Sequence, residues 1–182
     1  MIRTKDILDE KDPRVRAKNS DVEFPLCNEY KDIIPEMLKH LRYSQIEKLS
    51  KKYDLRPGMG LAAPQMGINK NFFVVCYEVS DGKFDDYVLI NPKIISYSEE
   101  MIYAGEGEGC LSVNREVEGI VPRHARITVE AYDMDGNKFT MRLREDLAVC
   151  VQHEMDHLEG ILFFDKIKKK NPFKDADKYR PI

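Results

Sequence analysis

Nowhere in its 182 residues does the chain approach the run of about 18 apolar residues that a membrane-spanning helix needs, so no membrane span is expected. Neither sign of charge dominates. Its 29 Lys and Arg stand against 32 Asp and Glu, a formal charge of -3, without the basic excess of a dedicated DNA or RNA binder. Cysteine is scarce: Cys27, Cys76, Cys110 and Cys150 lie far apart, which argues against a disulfide scaffold and leaves free thiols or a metal ligand. Repeats and low-complexity tracts are absent. The opening Met1–Glu10 mixes both charges and lacks the apolar core of a secretory signal. The expectation is a cytoplasmic protein without DNA or membrane partners. With 42% hydrophobic residues the chain can bury one core and is short for two, so residues 1–182 read as a single domain with a basic tail over about 166–182.

Periodicity supplies the elements. Ile33, Ile34, Met37, Leu38, Leu41, Leu49 and Tyr53 recur at mostly helical spacing, predicting one long amphipathic helix with Pro35 in its first turn or kinking it. After Arg56-Pro57-Gly58, the runs Phe72–Tyr77 and Tyr87–Ile90 read as strands around Asp81-Gly82-Lys83; Asn91-Pro92 interrupts, and Ile94–Tyr97 continues. Arg126–Tyr132 and Lys138–Leu143 alternate with period two about Asp135-Gly136-Asn137, a hairpin. A second helix is expected from about Asp146, as N-cap, to Glu159, ended by Gly160. Helices and hairpins are segregated, so the fold class is α+β, with mostly antiparallel sheets packed around the second helix. Lys166–Lys170 is read as a solvated chain end rather than a contact for RNA phosphate.

That second helix carries His153-Glu154-Met155-Asp156-His157, an H-E-x-x-H pattern. Residues i and i+4 share a helix face, so both imidazoles can reach one ion while Glu154 addresses a water on it. A metzincin protease would need a further histidine where Phe163 stands, and no glutamate follows Gly160 to complete a thermolysin-like set. Cys110, in Glu108-Gly109-Cys110-Leu111-Ser112, is the best third ligand, with Asp165 a weaker alternative. His40 and His124, the only other histidines, lack ligand-like spacing, so three ligands and an open position imply catalysis. A zinc endopeptidase and a non-catalytic zinc module are the competing classes. The intact Glu154 argues against the module, and the missing downstream ligand against the endopeptidase.

Three motifs in order, Gly58-Met59-Gly60-Leu61-Ala62-Ala63-Pro64-Gln65, Glu108–Ser112 and Gln152–Leu158, resemble the signatures of the peptide deformylases, specifically the longer bacterial class. Met59 stands where isoleucine or valine is commoner. The resemblance implies a metal-dependent hydrolase that removes the formyl group from N-terminal formyl-methionine of nascent peptides, with a transient ribosome association. It implies one divalent ion held by Cys110, His153 and His157, ferrous iron in the cell, with zinc, nickel or cobalt able to substitute. Glu154 would carry protons, and the Gln65 amide and Leu111 N–H would face the oxyanion. Met59, Gly60 and Gly109 would lie along the substrate backbone. Arg123 matches a basic position of the family and is read as a solvated or structural charge. Val149 and Cys150 precede His153 by four and three residues, so they flank the metal one turn back and match positions that line the formyl-methionine pocket. Their plainer reading is packing of helix on sheet.

Overall fold

A computed structural model describes residues 1–182. The first long helix is α1, Asn28–Gln45, followed after one extended residue, Ile46, by α2, Glu47–Tyr53. The single helix expected here is therefore two. Ile34, Met37, His40, Leu41 and Ser44 make the buried stripe of α1. Its start at Asn28 makes Pro35 the eighth helical residue, not a first-turn one. Pro35 points to solvent, as does Lys31, whose carbonyl the missing N–H would otherwise bond, so water can take its place.

Strands β1 (Gly60–Ala62), β2 (Phe72–Ser80) and β3 (Lys83–Tyr97) follow, then β4 (Met101–Tyr103), β5 (Arg123–His124), β6 (Arg126–Tyr132) and β7 (Lys138–Arg144). Helix α3 covers Glu145–Leu158, and β8 is Arg180–Pro181. Five strands form an antiparallel sheet in the order β1-β2-β3-β6-β7, and a smaller one runs β5-β4-β8. The run Phe72–Cys76 is apolar throughout because both faces of β2 are covered. Phe72, Val74 and Cys76 pack with Ile34, Met37 and Leu41 of α1, while Phe73 and Val75 pack with Ala148, Cys150 and Val151 of α3. The sheet is thus held between α1 and the helix that bears both histidines.

The interruption expected at Asn91-Pro92 is a register shift within one continuous strand. Asn91 takes φ +49, and its side chain accepts from Val22 N and donates to Val22 O, at 2.8 and 2.9 Å. Asp146 does not cap α3. That helix opens at Glu145 behind Arg144, and both acids lie in its first turn, where they complement the exposed N–H groups. Gly160 ends it at φ +71, with the Arg16 carbonyl where a Cβ would stand. Of the run read as a solvated chain end, Lys168–Lys170 are exposed, but Ile167 is buried in an apolar cluster and Lys166 pairs with Asp156 at 2.7 Å; the chain then returns, and β8 pairs parallel with β4. No helix is long and apolar enough to cross a membrane.

Candidate metal centre

His153 and His157 stand one turn apart on α3 with ring centroids 5.0 Å apart. Cys110 reaches them from the irregular segment between β4 and β5, its Sγ 3.3 Å from His157 Nε2. One ligand atom from each of the three lies within 4.8 Å of the others, and all three residues are buried. One thiol and two imidazoles, gathered away from water, suit a divalent transition metal. Their surroundings fit as well. Glu108 Oε2 accepts from His153 Nδ1 at 2.8 Å, leaving Nε2 for the cluster, the kind of carboxylate partner that orients a ligating histidine. Ser112 N–H donates to Cys110 Sγ at 3.4 Å. Asp165, the weaker alternative, is occupied elsewhere: Arg16 pairs with it and it accepts from Leu162 N–H. We expect Cys110→Ala to lose tight divalent metal binding, read by metal analysis after dialysis. One equivalent of retained metal would remove Cys110 from the ligand set.

Glu154 is 4% exposed, and its Oε2 has no hydrogen-bond partner. Burial pushes its carboxyl up to about 7, against the pull of His153 and Arg123. Gly60 makes room for it: a Cβ there would fall 2.6 Å from the Glu154 carboxylate carbon. The glycine expected to admit a substrate backbone thus also admits this side chain. His157 is held neutral, its pKa well below the usual value through burial and the neighbouring His153.

A cavity of about 400 Å³ opens beside the cluster. Met59, Gly60, Gln65, Gly109, Cys110, Leu111, Val149, Cys150, His153 and Glu154 all line it, so of the anticipated site residues only His157 lies behind the wall. Gln65 is 1% exposed; its Oε1 accepts from Ala62 N–H at 2.8 Å, and its Nε2 donates to Ser112 Oγ at 3.1 Å, 3.7 Å from Cys110 Sγ. That orients the amide N–H side toward the cluster. Leu111 N–H has no protein acceptor. Open space surrounds Gly109 where a Cβ would be. Val149 and Cys150 line the cavity and also pack, Val149 with Ile102 and Ala125, Cys150 against the sheet.

Arg123 is not a solvated charge. It is 1% exposed, forked onto Glu108 at 2.7 and 2.8 Å and bonded through Nη1 to Asp156. Burial alone would raise the Glu108 carboxyl, but Arg123 and His153 outweigh it and hold it at about 2. Glu108 and Asp156 were both inside the motifs, yet their partner arrives from β5. Arg56 enters the sequence reading only as a marker between the first helix and the strands. It donates from Nη2 to the Cys110 and Val113 carbonyls, both at 3.0 Å, and so braces the loop that presents the cysteine. Nothing in their local sequence signals these partners.

A buried Cys-His-His cluster on an α+β scaffold, beside a carboxylate and a cavity, defines a metal-dependent hydrolase. The family model described as polypeptide deformylase matches residues 4–173. The chain is 46% identical over 182 residues to a peptide deformylase of Oceanobacillus iheyensis, covering 100% of each. Among solved structures, peptide deformylase from Thermus thermophilus matches with TM-score 0.74 at 32% identity, over 93% of this chain and 87% of that one. Peptide deformylase 1B of Arabidopsis thaliana matches with TM-score 0.74 at 32% identity, over 90% and 82%. The chain belongs to the peptide deformylase family.

Proposed function

We propose that this chain, acting as one catalytic domain, removes the formyl group from the N-terminal formyl-methionine of new polypeptides and releases formate. The observation that carries the reading is the unpartnered Glu154 carboxylate, set in one cavity with the Cys110 and His153 of a three-ligand cluster. Cys110, His153 and His157 would hold a divalent ion, which would supply Lewis acidity and lower the pKa of water toward neutrality. Glu154 accepts the proton of the attacking water and returns it to the departing amine, a role open to a buried carboxylate with an unpartnered oxygen. Gln65 Nε2 and Leu111 N–H donate to the oxygen on which negative charge gathers.

Strand β1 pairs only with β2, so its outer edge is free to receive the peptide as an added strand along Met59 and Gly60, with Gly109 opposite. The first side chain would then sit against Val149 and Cys150. Ferrous iron is the proposed ion in the cell, and zinc, nickel or cobalt suit the same thiolate and imidazole set. The proposed setting is the cytoplasm, with substrate met transiently at the ribosome.

The test is formate release from a formyl-methionyl peptide by protein purified without oxygen, with metal analysis alongside. Formate should appear in proportion to bound metal. Iron-loaded protein should lose activity in air faster than nickel- or zinc-loaded protein, because a thiolate-ligated ferrous ion is open to oxidation. No formate from metal-replete protein, or comparable cleavage of unformylated internal bonds, would sink the reading.

A further inference from the structure

Ile182 also lines the cavity of the metal cluster, although it follows His157 by a long, largely irregular stretch and belongs to no motif. It is held there by main chain. Its N–H donates to Tyr103 O at 3.0 Å, and Gly105 N–H donates to its carbonyl at 2.9 Å, extending the parallel pairing of β8 with β4. Its side chain is half-buried and packs with Ile102, Ala125 and Val149. Two residues earlier, Arg180 forks onto Glu145 at 2.8 and 2.9 Å and bonds Glu100 at 3.1 Å. Glu145 opens α3, so the segment that carries Ile182 is tied to the helix that carries His153 and His157. The placement is specific in chemistry. The Ile182 side chain, branched and apolar, packs beside Val149, which lines the same cavity.

We propose that Ile182 is a specificity-determining residue, walling the pocket for the substrate's first side chain beside Val149 and so selecting a long unbranched apolar group. The assignment rests on the deformylase reading above. A wall of this kind acts through contact along the length of the side chain. Methionine reaches it, whereas alanine, one methyl long, does not. Arg180 is a positioning residue, holding the wall against α3 through its contacts with Glu145 and Glu100.

The experiment compares kcat/KM for formyl-methionyl and formyl-alanyl peptides in the full chain, with Ile182→Ala and Arg180→Ala beside wild type at equal metal content. Ile182 is half-buried at the rim, so its truncation leaves the sheet and α3 in place, which an unchanged Tm verifies. Ile182→Ala should lower the methionyl-to-alanyl ratio by roughly tenfold, the scale of a few methylene contacts in an apolar pocket, chiefly through KM. Arg180→Ala should lower it in the same direction by less. An unmoved ratio, or equal losses on both peptides, overturns the assignment while wild type still releases formate. Failure of metal-replete wild type to release formate from either peptide overturns the deformylase reading, and this assignment with it.

Discussion

Glu154→Gln should retain the metal and the fold while turnover of a formyl-methionyl peptide falls by roughly 10²–10⁴, the usual cost of removing a general acid–base. Glutamine is nearly isosteric, so the space opposite Gly60 stays filled and no cavity opens. The substitution removes only the ability to take and return a proton. Glu154 Oε2 is buried and unpartnered, so little of the loss can come from breaking a structural hydrogen bond. The loss should lie in kcat rather than KM, because the proton transfer belongs to the transition state. Near-native kcat in a metal-replete Glu154→Gln protein would remove the residue from the chemistry.

Arg123→Met should cost about 3–5 kcal/mol, the scale for breaking a buried ion pair by deleting one partner. Arg123 and Glu108 have side chains 1% and 4% exposed, and Arg123 is the only guanidinium on that carboxylate. Without it, burial drives the Glu108 carboxyl up, and His153 loses the anion that orients its ring. Tm of the metal-free protein should fall by about 10 °C. Metal-free protein is the proper sample because a bound ion would mask the loss by mass action. Adding Glu108→Gln should recover part of the stability by removing the stranded charge, but not the metal affinity, since a glutamine orients His153 less well. A Tm within the measurement error of wild type for Arg123→Met would show that the network contributes nothing to the fold.

The helix of His153, Glu154 and His157 was legible because the i, i+4 spacing and the helical period are both local properties of a short stretch. The β6–β7 hairpin was legible for the same reason, with two alternating runs around Asp135-Gly136-Asn137. Errors fell where local rules compete. The spacing from Ile33 to Tyr53 kept a helical phase across Ile46, but that residue adopts an extended backbone, and only packing shows the break. Asp146 had the chemistry of an N-cap and lost the position to Arg144, because the register of β7 sets where the strand ends and α3 begins.

Arg123 shows the limit most plainly. On its own it is an arginine after a proline, ordinarily solvated, and its burial depends on Glu108 and Asp156 converging from a loop and from α3. The fate of Ile182 likewise depends on β8 returning to β4, which no periodicity in a two-residue strand can announce. The sequence by itself determined the chemical character of the site: a thiol, two imidazoles and a carboxylate in recognisable motifs. Tertiary structure alone decided which groups hold those ligands in place and which wall the cavity. Ligand identity and helical phase are written residue by residue, whereas second partners and cavity walls come from segments whose meeting depends on the packing of the whole sheet between α1 and α3.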